Sequence, residues 1–376
     1  MLSKLKILLI FVPISFGFSY FMDGSLLSFI TSALAIIPLA ALMSDLTDKL
    51  RSKLGSSWGG LINVTFGNAT ELIISIFAIY DGLLNVVKAN ITGSIIMNLL
   101  LILGLSFFLG GLKYQRQKFD KLLAITNSAM LMLAVVGMLV PAIFYFGSSK
   151  IRTIILGRLS MGVGLVLFAT YFASLYFTLI FHEREKKVSQ NGNNSNENNK
   201  DNQMSPSVIN KNVGSEDNNK LGETESSLWR NVLYLFLVTL FIALEANILV
   251  SSITVLQESF NISPVFIGVI ILPIISNVAE ITTAIRMARE NKIDLSITIA
   301  VGSSIQVALF LVPLLIFFSH LTPNPMNFLF NILEISTIGL SVLAINIVYL
   351  QGKSNWFEGL QLVASYLIIA IAFYFA

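Results

Sequence analysis

Two short stretches carry side chains out of keeping with their surroundings. Residues 67–76 read GNATELIISI and residues 276–285 read SNVAEITTAI. Each places an asparagine three positions before a glutamate, Asn68 with Glu71 and Asn277 with Glu280, inside a long apolar run. An ionisable residue at the centre of a bilayer costs about 2.5–3.5 kcal/mol on insertion scales. No lysine or arginine lies in the middle of any apolar run, so neither carboxylate has a basic partner at hand. Such a carboxylate is either protonated or holds an ion from outside. Positions i and i+3 of a helix share a face, so each stretch is expected to present an amide and a carboxylate together.

Polar residues on neighbouring apolar runs add to this inventory: Ser94 and Asn98 in one, Ser303, Ser304 and Gln306 in another. The set is oxygen-rich with two negative charges. It suits a hard divalent cation such as Ca²⁺, which takes six to eight oxygens at about 2.3–2.6 Å. Mg²⁺ fits less well because it gives up water reluctantly, and soft metals want Cys, Met or His. Cysteine is absent, and His182 and His320 sit at the ends of apolar runs. Disulfides, thiolate metal centres and cysteine nucleophiles are therefore excluded, and a zinc site or Ser-His-Asp triad has almost no material. Two nearby carboxylates in a low dielectric are costly to leave ionised together. Protons then neutralise the site between cations, and a site that must hold one or the other exchanges them. Asp45 and Glu245 are candidates for a proton path, and Glu334 reads as interfacial. No nucleotide-binding motif occurs, so an ion gradient is the expected energy source. No cofactor or nucleic-acid partner is expected.

The elements that position these residues follow from composition. Of 376 residues, 55% are hydrophobic and only 12% charged, with a mean hydropathy of +0.78. A soluble protein carries about 25% charged residues, so this chain cannot coat a globule in charge. Its apolar runs are long enough to cross about 30 Å of hydrocarbon, whereas barrel strands alternate in segments of about ten. The expected fold is an all-α polytopic membrane protein with eleven transmembrane helices, near 6–22, 25–44, 61–86, 90–111, 122–146, 159–181, 229–251, 263–288, 295–319, 326–350 and 357–376. The first follows Lys4 and Lys6 like a signal peptide, but no small-x-small cleavage site follows it.

Lysine and arginine set the orientation. With the N-terminus inside, the inner loops hold Lys49, Arg51, Lys53, Lys113, Arg116, Lys118, Lys121, Arg286, Arg289, Lys292 and Lys353. The outer loops hold only Lys88, Lys150, Arg152 and Arg158. Residues 183–227, which include QNGNNSNENNKDNQ, cannot bury enough apolar surface to offset chain entropy, so a disordered cytoplasmic linker is expected.

The linker divides a repeat. Gly67 and Gly93 are 26 positions apart, as are Ser276 and Gly302, and GSII at 93–96 answers GSSI at 302–305. The expected organisation is a leading helix (1–24), a first five-helix repeat (25–182), the linker (183–227) and a second five-helix repeat (228–376). Five crossings force the second copy to enter from the opposite side, giving inverted repeats with a site near the midplane, as in secondary transporters.

With these residues in hand, the chain resembles the calcium/proton exchanger (CAX) family of the cation/calcium exchanger superfamily. The matching stretches are GNATELIISI (67–76), KANITGSIIMNLLLILGLSFFLGG (88–111), ISNVAEITTAI (275–285), VGSSIQVALFLVPLL (301–315) and GKSNWFEGLQLVASYLIIAIAFYF (352–375). The resemblance implies an inverted repeat behind an additional first helix, with Glu71 and Glu280 binding cation and proton beside Asn68 and Asn277. It also implies export of cytosolic Ca²⁺ against inflowing H⁺. The second motif departs from the family's Gly-Asn-Ala-Ala-Glu-His, with Ser276 at its start and Ile281 in place of the histidine. The rival expectations are a Na⁺-coupled or Mn²⁺-type exchanger of the same fold and, from another class, a passive cation channel. An enzyme is not expected. The membrane is the plasma membrane if the source is prokaryotic and the vacuolar membrane if eukaryotic. Oligomeric state is not legible.

Overall fold

In hydrocarbon every backbone N–H and C=O must be satisfied within the protein, which favours helices. The computed structural model describes residues 6–22, 24–147, 153–195 and 217–376 and is helical almost throughout. Lys4 before the first span, Lys150 and Arg152 of the charge count, and residues 196–216 of the expected linker lie outside the described residues. The first half contains α1 (Phe11–Phe21), α2 (Leu26–Phe66), α3 (Ala69–Tyr80), α4 (Leu84–Ile96), α5 (Leu103–Tyr114), α6 (Lys121–Gly147) and α7 (Thr153–Ser195). The second contains α8 (Asp217–Ser251), α9 (Ile253–Phe260), α10 (Pro264–Phe266), α11 (Leu272–Ser276), α12 (Val278–Arg289), α13 (Ile293–Gln306), α14 (Val312–Ser319), α15 (Ile332–Gln351) and α16 (Trp356–Tyr374).

Among the described residues eight helices are long and apolar enough to cross a membrane. A further pair, Pro264–Ser276 and Val278–Arg289, is bent by 61°, and Ile7–Phe21 and Ala69–Tyr80 are shorter apolar helices. The expected third span, 61–86, is thus not one helix. Its first residues end α2, and the chain breaks before α3. The expected loop at 45–60 is helical as well, because α2 runs for 41 residues, or about 60 Å at 1.5 Å per residue. The segment SDLTDKLRSKL has no helix breaker, and Lys49 pairs with Asp45 one turn earlier at 2.6 Å. Helices α7 and α8 likewise run into the 183–227 segment, through Ser195 and from Asp217. A formed span supplies the costly nucleus, and propagation then adds a bond per residue fixed.

The halves share their irregularities. A π-helical segment (Met97–Ile102) joins α4 to α5, and another (Val307–Leu311) joins α13 to α14. A third, Ile267–Ile271, lies between α10 and α11. Two short strands, β1 (Arg116–Lys118) and β2 (Lys353–Asn355), pair antiparallel with Gln117 opposite Ser354.

Apolar packing falls into two bodies. The larger core gathers Ile95, Leu99, Phe107, Leu131, Leu309, Ile345 and their neighbours, mostly from α4–α6 and α11–α16, and reaches the ends of α2 and α8 at Ile36 and Leu249. A smaller cluster of Leu39, Met43, Leu46, Leu50, Leu235 and Ile242 joins α2 to α8, with Leu9 and Val12 of the leading segment against it. Helix α2 packs more extensively against α8 than any other pair of elements in the chain.

Candidate cation site

The carboxylates sit where helices are interrupted. Asn68 leaves the helical region (φ −121°, ψ 33°), and α3 starts at the next residue. Asn277 (φ −96°, ψ 17°) separates α11 from α12 in the same way. Each glutamate is therefore in the first turn of its helix, where unpaired N–H groups and the macrodipole favour negative charge. The expectation that amide and carboxylate share a continuous helical face is corrected here. Each asparagine sits at the break, making no side-chain bond to the helix that follows, and each glutamate belongs to that helix.

Glu71 and Glu280 line one cavity of about 470 Å³, with Ser276, Ser303, Gln306 and Thr70 around them. Asp48, Arg51, Met287 and Leu295 line it too. Asp48 and Arg51 belong to the basic middle stretch of α2, and Met287 and Leu295 flank the Arg289–Lys292 turn. Both regions lie in the stretches that the charge bias of the sequence is expected to hold inside.

Gly93 in α4 packs so tightly on the 267–276 segment that a Cβ there would run into the Val269 carbonyl and the Pro273 ring. Its repeat counterpart Gly302 has nothing within 4 Å of such an atom and lines the cavity instead.

Buried polar atoms without partners mark the chemistry. Glu71 Oε1, Glu280 Oε2, Asn277 Oδ1 and Asn98 Oδ1 are buried and accept no hydrogen bond. All four are oxygens that accept and do not donate when the carboxylates are ionised. A buried polar atom without a partner costs about 1–3 kcal/mol, and a hard cation satisfies such atoms. Among the described residues no three Asp, Glu or His side chains gather around one point. A cation held here therefore rests on two carboxylates and neutral oxygens.

The sequence-stated residues divide as follows. Glu71, Glu280, Ser303 and Gln306 line the cavity. Asn68 lies behind it, donating to Gln306 Oε1 at 2.8 Å and accepting from Ser303 Oγ at 2.8 Å. Asn98 donates to Ser303 Oγ at 3.1 Å. Ser94 and Asn277 are buried against each other, with Nδ2 to Oγ at 3.5 Å. Ser304 turns its hydroxyl to Ala300 O at 3.1 Å and does not reach the cavity.

Neither proposed proton-path residue lines the cavity. Asp45 pairs with Lys49 on the exposed side of α2. Glu245 is fully buried, with Ser15 Oγ of α1 at 2.6 and 2.7 Å. Glu334 completes a capping box, accepting from Asn331 N at 2.7 Å, and so starts α15. Asp48, one turn beyond Asp45, is the acidic residue of α2 that the cavity does contain. Its place three residues from Asp45 on one helix was the available signal, hidden while 45–60 read as a loop.

Comparison with known proteins places the whole chain. The family described as sodium/calcium exchanger protein matches residues 24–180 and 230–375. A Ca²⁺/H⁺ antiporter of Synechocystis sp. is 40% identical over 369 residues, covering 98% of this chain and 96% of that protein. The Ca²⁺/H⁺ antiporter ChaA of Bacillus subtilis is 37% identical over 367 residues, 96% of each chain. The solved structure of native YfkE covers 100% of both chains at 34% identity with a TM-score of 0.80. Matched in both halves and aligned with its relatives nearly from end to end, the chain belongs to the sodium/calcium exchanger protein family, in its calcium/proton exchanger branch.

Proposed function

We propose that the chain is a secondary antiporter that exports cytosolic Ca²⁺ in exchange for H⁺. The observation that carries this reading is the pair Glu71 and Glu280. They share one cavity, each has a buried oxygen without a partner, and no basic side chain is bonded to either among the described residues. One Ca²⁺ or two protons neutralise two carboxylates, and each occupant spares the protein the cost of two bare buried charges. A site that moves only when neutral exchanges one occupant for the other. The Ca²⁺/H⁺ antiporter relatives support the same ions.

In this reading the chain crosses the membrane eleven times, as a leading helix and two inverted five-helix repeats. The smaller body of α1, α2 and α8 moves against the larger core, opening the site to one side at a time. The closed packing at Gly93 opposite the open space at Gly302 supports an exchanger over a passive channel, which needs a path open on both sides. A bacterial source would place the protein in the plasma membrane.

Purified protein in liposomes tests the reading. An imposed pH gradient should drive ⁴⁵Ca²⁺ uptake, and a Na⁺ gradient of equal size should not. Uptake driven by Na⁺, or flux that needs no counter-gradient, would transfer the assignment to the Na⁺-coupled or channel alternative.

A further inference from the structure

A shift of 209 positions that superposes Glu71 on Glu280 also superposes the far ends of their helices. Helix α3 ends at Tyr80 and α12 at its counterpart Arg289. The chain leaves both helices in the same way. Gly82 and Asn291, again counterparts, take positive φ of 74° and 62°. Gly82 N donates to Ile79 O and Asn291 N to Ala288 O, both at 3.1 Å.

Both ends are also gripped from the opposite half. Asn324, between α14 and α15, donates through Nδ2 to Ile79 O at 3.2 Å and to Tyr80 O at 3.4 Å. Gln117 of β1 donates through Nε2 to Ala288 O, 171 positions away, at 2.9 Å and to Asn291 Oδ1 at 3.0 Å. Lys113 Nζ and Tyr114 OH donate to Arg289 O at 3.0 and 3.1 Å. The accepting carbonyls are counterparts, Ile79 with Ala288 and Tyr80 with Arg289, whereas Gln117 falls opposite Met326. The attachment is repeated although the side chains that make it are not.

The grip on α12 is the buried one. Gln117 is 2% exposed, and its carboxamide fills the space that a side chain at Gly110 would need. The amide cannot be turned over, because Ala288 O only accepts. Glu280, Thr283 and Met287 of α12 line the cavity, so the gripped carbonyl belongs to the residue after Met287.

We propose that Gln117 is a positioning residue for Glu280: it pins the far end of α12 to α5, leaves the break at Asn277 as the place where the helix turns, and so sets where the carboxylate meets the cation. This rests on the reading of Glu280 as half of the cation site. A short helix loose at both ends tilts as a unit and carries its carboxylate away from Glu71. Ligand geometry is held by the contacts behind the ligand, and here those contacts lie at the end of the helix that bears it.

The chain has no cysteine, so one engineered pair can replace the pin. A Cβ at Gly110 would lie 3.2 Å from Ala288 Cβ, close to the spacing of about 3.5–4.5 Å in a disulfide, and Gln117→Ala clears the space for it. In ⁴⁵Ca²⁺ uptake by the full chain in liposomes, Gln117→Ala should raise the apparent KM for Ca²⁺ about fivefold, equivalent to about 1 kcal/mol, with the limiting rate nearly unchanged. Adding Gly110→Cys and Ala288→Cys should restore KM when the pair is oxidised and not when it is reduced. An unchanged KM in Gln117→Ala, with or without a lower melting temperature, overturns the inference. So does an oxidised triple variant that fails to recover KM, or that stops transporting, because the pin would then have to open in each cycle. Should Gln117→Ala not fold, the triple variant decides alone, and a KM equal in its oxidised and reduced forms overturns the inference. Uptake that survives Glu280→Gln would instead sink the underlying site, an outcome visible in the same assay and separate from the behaviour of the Gln117 variants.

Discussion

Ser15 of α1 lies 2.6 and 2.7 Å through its Oγ from the two carboxylate oxygens of Glu245 in α8, 230 positions away in the chain. The same hydroxyl is 2.8 Å from Val12 O. One hydroxyl proton cannot serve three acceptors. Two of the three contacts become hydrogen bonds when the Glu245 carboxyl carries a proton and donates it from one oxygen to Ser15 Oγ, leaving Ser15 to donate to Val12 O. The leading helix is thus fastened to the second half by a buried polar contact outside the cation cavity.

Glu245→Gln, which puts an N–H where that proton would be, should retain both folding and transport. Glu245→Ala leaves a cavity and an unserved Ser15, and should lower stability by about 1–3 kcal/mol. Thermal unfolding of purified protein in detergent, read beside ⁴⁵Ca²⁺ uptake, checks both. Loss of transport in a stably folded Glu245→Gln protein would show that this carboxyl ionises during the cycle.

The repeat glycines give an unequal pair of substitutions. Gly93→Ala forces a methyl group onto Val269 O and Pro273, and overpacking of this kind costs about 1–3 kcal/mol. Gly302→Ala meets open space and should fold with normal stability. In a mirrored outward-facing form Gly302 takes the tight position, so the same alanine should slow transport. Size-exclusion profiles, melting curves and uptake rates separate the two effects.

Asp48 lines the cavity and Asp45 does not. A charge at an entrance raises the local cation concentration, and salt screens it. Asp48→Asn should raise the KM for cytosolic Ca²⁺ a few-fold at low ionic strength and less at high, with the limiting rate unchanged. Asp45→Asn should leave KM as it is, since its exposed pair with Lys49 contributes about 0–1 kcal/mol. Uptake kinetics at two ionic strengths compare them.

The sequence carried the centre of the site better than its surroundings. Glu71 and Glu280 were legible because an acid in an apolar run is costly, and two at one repeat offset are seldom accidental. The breaks at Asn68 and Asn277 were less legible. Gly67 and Pro273 both loosen a helix, but an asparagine at a break and one inside a helix look alike at i and i+3. The continuation of α2 past residue 44 was hidden for a related reason. Alternating Asp and Lys suits both a solvated loop and a helix with i,i+4 pairs, and reading it as a loop selected Asp45 over Asp48. The grip of Gln117 on α12 needed coordinates, because Gln117 and Ala288 lie 171 positions apart in the chain.

The central claim is that Glu71 and Glu280 hold Ca²⁺ and protons in turn. Lowering the pH on the Ca²⁺ side should raise the apparent KM for Ca²⁺, since protons compete for the same carboxylates. A glutamine, which carries neither charge nor exchangeable acid, should end the exchange. The most direct measurement is ⁴⁵Ca²⁺ uptake driven by a pH gradient into liposomes holding wild type, Glu71→Gln or Glu280→Gln at equal, folded amounts. The account predicts robust uptake by wild type and background uptake by each variant. Wild-type uptake in either variant would contradict it.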